Sequence, residues 1–187
     1  MQLSCILILL IIIASMKYLI IKLLFLISLF TNIYAHPHTF IEVEPTIDIK
    51  QNSINNLHIK WTLDEMTSMM LIMELDVNGD GKFDKEENSY IYENYFSSLV
   101  EQNYYMKILS DKKRITIKPK NFKASINKDK LVYAFDINKN IDTKNLKIDF
   151  HDEDLFVGLM LEKKFIKING IKKEKINQLK KQIFGVK

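Results

Sequence analysis

Asp76, Asn78, Asp80, Asp84 and Glu87 place side-chain oxygens within one short run, Asp76-Val77-Asn78-Gly79-Asp80-Gly81-Lys82-Phe83-Asp84-Lys85-Glu86-Glu87. A large, hard divalent cation takes six to eight oxygen ligands. This spacing supplies them from Asp76, Asn78 and Asp80, from the backbone carbonyl of Lys82, from Asp84 directly or through water, and from both oxygens of Glu87. Gly81 permits the sharp turn that folds the donors around one point. Carboxylates drawn together in this way repel one another without a cation, so an ion is expected to order the segment. Magnesium, with six short octahedral bonds, makes poor use of a bidentate glutamate. Calcium is therefore the expected ion, and the plainer alternative is an acidic, glycine-containing surface turn.

The same residues resemble the EF-hand calcium loop at every defining position. Phe83 stands where such loops set an apolar residue on the core, and helical patterns flank the run on both sides. No second loop follows in the chain. A single site outside the cell implies weak affinity, on the order of 10⁻⁴ to 10⁻³ M, and the expected role is a structural clip that docks two helices on a sheet.

A second candidate is His36-Pro37-His38-Thr39-Phe40. Pro37 favours extended backbone, so the two imidazoles should lie on one side. If the chain is cut after Ala35, His36 also gains a free amine. The square-planar amino-terminal mode needs a deprotonated second amide, which Pro37 lacks. What remains is zinc, nickel or copper held by His36 and His38, with a third ligand such as His151, Asp64 or Glu65. The bland alternative is an exposed terminus. His58, in an alternating strand beside Trp61, reads as structural, and His151 as a turn at a strand end. Met66, Met69, Met70 and Met73 could offer soft ligands to copper, but at helical spacing they are expected in the core.

The elements that must position these residues follow from periodicity. Phe40 to Ile49 and Leu57 to Leu63 alternate as two strands of a hairpin around the polar turn Gln51 to Asn56. Thr62-x-x-Glu65 reads as a capping box opening a helix that runs to Leu75. A second helix is expected from about Lys85 to Glu101. Thereafter short alternating runs at Tyr105 to Leu109, Arg114 to Lys118, Phe122 to Ile126, Leu131 to Ile137 and Leu146 to Phe150 argue for antiparallel strands. Ile171 to Phe184 has the spacing of a terminal amphipathic helix. The expected fold class is α+β: an antiparallel β-sheet or small β-sandwich with an inserted EF-hand helix-loop-helix at about 63–101 and a C-terminal amphipathic helix.

Ahead of this domain, Lys17 and Lys22 are the only charges from Leu3 to Tyr34. Met16 to Lys22 forms a basic start, Leu23 to Phe30 an apolar run, and Thr31 to Ala35 a more polar end. Residues 1–35 therefore read as a signal peptide, with Met16 a plausible true start and cleavage after Ala35, or as an uncleaved membrane anchor. Residues 36–187 then form a single domain. The net charge of +4 falls by two lysines to +2 on removal of the leader. No nucleic-acid partner is expected, because the lysines alternate with acids. The one cysteine, Cys5, lies in the leader, so the mature chain has no disulfide, thiolate zinc site or thiol catalysis.

His36-Pro37-His38-Thr39-Phe40, Trp61-Thr62-Leu63-Asp64-Glu65-Met66, the calcium-type loop and Asp152 to Phe156, taken in order over about residues 36 to 165, resemble an uncharacterised family of exported bacterial proteins labelled as periplasmic components of an ABC-type transport system. The resemblance implies an association with zinc, nickel or cobalt transport and a membrane metal transporter as partner. It also implies that His36 and His38 handle that metal while Asp76, Asn78, Asp80, Lys82, Asp84 and Glu87 form the calcium loop. The family tends to read Tyr-Asp-Pro where this chain has His151-Asp152-Glu153, which weakens any functional role for that segment.

The expectation is thus a periplasmic or secreted, calcium-binding accessory or binding component for transition-metal transport. Its cofactors would be Ca²⁺ and, at the histidines, Zn²⁺ or Ni²⁺, and it would not be an enzyme. The alternatives are a secreted copper enzyme built on His36 and an inner-membrane-anchored scaffold stabilised by calcium. Contact with the membrane would come only through the signal or an uncleaved anchor.

Overall fold

Alternation along the first two strands builds the core. In β1 (Thr39–Lys50) Ile41, Val43, Ile47 and Ile49 are buried, and in β2 (Ser53–Leu63) Ile54, Leu57, Ile59, Trp61 and Leu63 are buried. The computed structural model describes residues 16–22 and 38–186. The chain divides into two units, 1–35 and 36–187. Of the first, only the helical stretch 16–22 is described, so the expected signal and its cleavage point lie largely outside the described residues. Among those residues no helix is long and apolar enough to cross a membrane.

The hairpin turn is tighter than the polar run Gln51 to Asn56 suggests. Gln51 and Asn52 both adopt left-handed backbone, with φ of 51° and 62°, the conformation that matches a two-residue turn to strand twist. The register shifts beside Asp48 and Ile49, where Asn55 is the extra residue. This bulge explains why Ile54 and Leu57, three residues apart, both face the core.

The larger sheet runs β10-β1-β2-β6-β5, from β5 (Lys120–Asn127), β6 (Lys130–Ile137) and β10 (Lys167–Asn169), with β7 (Ile141–Asp142) added to β2 and β9 (Val157–Met160) to β1. A smaller sheet joins β4 (Lys113–Arg114), β3 (Met106–Ser110) and β8 (Lys147–Phe150). Pairing is mainly antiparallel, but β9 and β10 both run parallel to β1. Of the run Arg114 to Lys118, expected as a strand, only Arg114 lies in a strand, and the Ile115 N–H adds one bond to the Ile108 carbonyl at 2.9 Å. Gly170, with φ of 84°, crosses Ile49 so closely that a Cβ there would stand 2.0 Å from the Ile49 carbonyl oxygen. Only glycine fits that crossing.

Between β2 and β3 lie α1 (Glu65–Leu75) and α2 (Lys85–Ile91), and α2 continues through a wide π turn at Tyr92–Phe96 and a 3₁₀ turn at Ser97–Val100. The chain is thus helical over nearly the expected span from Lys85. Phe96 is fully buried against Trp61, Phe122 and Phe135 at ring-centroid distances of 6.1, 4.3 and 5.0 Å. α3 (Lys173–Phe184) buries Ile183 and stacks Phe184 on Phe150 of β8. The fold is α+β, with a C-terminal helix as expected.

Two expectations for α1 are corrected. The cap is Asp64, whose carboxylate accepts from the Thr67 N–H at 3.0 Å, whereas Thr62 belongs to β2. The inward face carries Thr67, Ser68 and Leu75, while Met66, Met69, Met70 and Met73 point to solvent. The cause is a pair of hydroxyl ties. Ser68 Oγ donates to the Leu63 carbonyl at 3.1 Å and accepts from the Leu131 N–H at 2.9 Å, while Thr67 Oγ1 donates to Asp64 at 2.8 Å. Satisfied hydroxyls can face a sheet without the desolvation penalty that an unpaired polar group incurs.

Candidate metal loop and the amino-terminal corner

The segment after α1 is bent by its own side chains. The Asp76 carboxylate accepts from the Asp80 N–H at 3.2 Å and the Gly81 N–H at 2.9 Å. Asn78 Oδ1 accepts from the Asp80 N–H and Asp80 Oδ1 from the Lys82 N–H, each at 2.9 Å. Gly79 and Gly81 take left-handed backbone, with φ of 68° and 76°. Such a turn fits residues without a Cβ, and the side-chain amide and carboxylates substitute for backbone acceptors that the turn cannot provide.

Glu87 closes the segment. One of its oxygens accepts from the Val77 N–H at 2.8 Å, the other from the Asp84 N–H at 2.9 Å, and its own N–H donates to Asp84 at 2.8 Å. The carboxylate thus joins the two ends of the loop and completes a capping box at the start of α2. Phe83 packs against the core. Just ahead of the loop, Glu74 accepts from the Tyr95 hydroxyl at 2.6 Å, which pushes the phenol up to about 12.

The donor atoms are of the oxygen type that hard cations prefer. Asp76, Asn78, Asp80, Asp84 and Glu87 all accept from backbone N–H groups of the same segment, and a carboxylate retains lone pairs beyond the bonds it accepts here. Among the described residues, no three His, Cys, Asp or Glu side chains are gathered tightly enough to hold a metal ion. The loop is therefore a curved row of oxygens organised by backbone amides.

A second concentration of polar groups lies where β1 begins. His38, exposed, donates its backbone N–H to the Phe156 carbonyl at 2.9 Å, and Phe40 donates its N–H to the Asp64 carboxylate at 2.8 Å. Burial raises the Asp64 carboxyl, but the N–H groups of Thr67 and Phe40 and the Thr67 hydroxyl outweigh burial and hold it below the usual aspartate value. Asp152, buried, accepts from the N–H groups of Asp154, Phe156 and Val157 at 3.1, 3.0 and 2.9 Å. It folds the 152–157 loop so that β9 can pair with Thr39 and Phe40. Three segments far apart in sequence, at 38–40, at Asp64 and at 152–157, thus meet at one edge. The work of Asp152 here is structural. Sequence reasoning missed that role, although an aspartate opening a polar turn is a signal for such bonding.

His36 lies outside the described residues. His58 Nδ1 sits 2.8 Å from Asp136 across the β2–β6 pair, the structural role expected of it. Burial raises the Asp136 carboxyl, but hydrogen bonds from Asn121 and His58 bring it below the ordinary value. His151 follows β8, and its Nδ1 lies 3.1 Å from Asp149, within ion-pair range but out of line for a hydrogen bond. Its N–H donates to the Tyr105 carbonyl at 3.0 Å. Tyr105 ends a run of three left-handed residues from Asn103, and burial, then Asp152 and Asp154, push its phenol up.

Fold and loop together define an α+β protein in which a helix-loop-helix stands between the second and third strands of a mainly antiparallel framework. The chain belongs to the family described as "Protein of unknown function (DUF1007)", which matches residues 21–179. It is similar to an uncharacterized protein of Haemophilus influenzae, at 27% identity over 60% of this chain and 55% of that protein. It is also similar to an uncharacterized 15.5 kDa protein from the trpE 3′ region of Spirochaeta aurantia, at 28% identity over 50% of this chain and 69% of that one. The matched stretch spans about half the length of the Haemophilus protein. No solved structure matches the chain.

Proposed function

We propose that this is an exported calcium-binding protein that serves transition-metal transport as a periplasmic accessory or binding component. One observation carries the calcium part: the Glu87 carboxylate already spans the loop, accepting from Val77 near its start and from Asp84 near its end. A carboxylate fixed at that position is poised to give both oxygens to an ion, while Asp76, Asn78, Asp80 and the Lys82 carbonyl complete a set suited to calcium. Bound calcium would add charge neutralisation to a clip that hydrogen bonds alone hold together. In this reading α1, α2 and the sheet form a rigid body, and the corner at the start of β1 presents His38.

The transport part rests on the family resemblance and on His38 standing exposed at the edge where three segments converge. His36 and His38 would take zinc or nickel through imidazole nitrogens. The test is calorimetric titration with calcium, zinc and nickel. Calcium is expected to bind the wild type and the His36→Ala, His38→Ala variant alike. Zinc or nickel is expected to bind the wild type at least tenfold more tightly than the variant, and equal affinities would remove the histidines from the proposal. A wild-type melting curve indifferent to millimolar calcium would remove the loop.

A further inference from the structure

We propose that the outer face of α1 is a thioether site for a soft monovalent cation of the copper(I) or silver(I) class, with Met66, Met69, Met70 and Met73 as sulfur donors. The four positions are related as i, i+3, i+4 and i+7, which sets them in one stripe along the helix. All four are exposed, at 61%, 59%, 56% and 80%. The usual explanation for an apolar stripe at this spacing is a core face, and here the core face is the opposite one, held by Ser68, Thr67 and Leu75.

Composition sharpens the point. The chain holds eight methionines, and its buried core is built almost wholly from Ile, Leu, Val and aromatics, with Met106 the one buried methionine among the described residues. A surface that needed only to be apolar could have drawn on the same Ile and Leu. Sulfur distinguishes methionine from them. A thioether is a neutral, polarizable donor that suits soft cations and is passed over by hard ones such as calcium. Its unbranched side chain has enough free torsions to bring sulfurs from adjacent turns toward a common ion.

The surroundings agree in shape. Met160, 48% exposed, lines a groove of about 430 Å³ together with Met66, so a further thioether stands at the margin of the stripe. Met69 and Met73 line the adjoining groove of about 500 Å³. Helix α1 carries Glu65 and Glu74 and no lysine or arginine, so its own charges favour a cation. Lys130, 3.9 Å from Glu65, and Lys128 also line these grooves, so the sulfurs and not the local field must select the ion. The inference is independent of the calcium loop and of the histidines, because it uses neither set of ligands.

Silver(I) nitrate is the probe, since it needs no reductant, and methyl-labelled methionine is the reporter. Silver is expected to shift the methyl resonances of Met66, Met69, Met70 and Met73, reaching a plateau near one equivalent, while buried Met106 stays in place. The quadruple Met→Leu variant keeps volume, apolar character and helix propensity, so it should melt with the wild type and bind silver at least tenfold more weakly. Unshifted α1 methyls, or a variant that binds silver within twofold of the wild type, would overturn the site. Excess calcium should leave the silver titration unchanged, and competition between the two ions would equally count against it.

Discussion

Asp84 and Glu87 hold each other's backbone: the Glu87 N–H donates to the Asp84 carboxylate at 2.8 Å, and the Asp84 N–H donates to Glu87 at 2.9 Å. The pair caps α2, so Glu87 has a helix-capping role besides the one proposed for it with calcium. The two roles separate experimentally. In chelator, Glu87→Ala is expected to cost about 1 kcal/mol, as for loss of a helix cap. Glu87→Gln retains one acceptor oxygen and should cost less. In about 10 mM calcium the wild type should gain about 1.4 to 2.7 kcal/mol for a dissociation constant of 10⁻³ to 10⁻⁴ M. Both variants should lose that gain. Thermal unfolding of the three proteins with and without calcium is the measurement, and a full calcium increment in Glu87→Ala would exclude Glu87 as a ligand.

Ser68 ties α1 to two strands at once, through the Leu63 carbonyl and the Leu131 N–H. Removing the hydroxyl leaves a buried N–H on β6 with no acceptor, and an unsatisfied buried donor costs about 1 to 3 kcal/mol. Ser68→Ala should therefore destabilise the protein by that amount in urea unfolding, with an unchanged dependence on urea concentration. A loss below about 0.5 kcal/mol would mean that water reaches Leu131 after the change.

The same serine shows where the sequence was legible. Alternation in Phe40 to Ile49 and Leu57 to Leu63 foretold the hairpin because those side chains face one core on one side only. The helices around the loop were legible from spacing, although the first was assigned the wrong cap. The face of α1 was not, because periodicity locates a stripe and says nothing of which stripe the sheet will accept. Met66 to Met73 obey the helical period as well as Thr67, Ser68 and Leu75 do, and hydrogen bonds to Leu63 and Leu131 decide between them. β9 and β10 were missed for another reason. They are three or four residues long and pair in parallel with a strand more than a hundred positions away, so no local pattern marks them. In the candidate loop the hydrogen-bonded turn involves residues close together in sequence, so its polar side chains could be read from one short run. The convergence of residues 38–40, Asp64 and 152–157 depends on those same unmarked pairings.

Asp64 and Asp136 set an acid limit on the fold. Both carboxyls lie below the 3.8 of a free aspartate because hydrogen bonds to the charged form outweigh burial. Between the folded and unfolded values the unfolded chain binds more protons, so stability rises with pH through that window. The contribution is complete above the unfolded value and is lost as pH falls through the folded one. Urea midpoints should therefore be flat from about pH 7 to pH 5 as far as these two groups are concerned, and should fall below about pH 4. Asp64→Asn should lower the midpoint at neutral pH and flatten the acid limb. An acid limb as steep as in the wild type would show that Asp64 is not among the groups that produce it.

Asp152 governs the edge at which His38 stands. Its carboxylate gathers the N–H groups of Asp154, Phe156 and Val157, and the loop so formed offers the Phe156 carbonyl to the His38 N–H at 2.9 Å and sets β9 beside Thr39 to Glu42. Hydrogen bonds to a charged acceptor contribute about 1.5 to 3 kcal/mol each, and they do not add independently within one loop. Asp152→Ala should therefore destabilise the protein by about 2 to 4 kcal/mol, the range for breaking a buried polar network. The effect should be local before it is global. Amide exchange at His38, Phe40 and Leu159 should accelerate more than at Ile59 or Phe135, which belong to the central β2–β6 pair. Asp152→Asn keeps one acceptor oxygen and should fall between the variant and the wild type. Uniform acceleration across both strands would mean that the 152–157 loop supports the whole sheet and does not act on this edge alone.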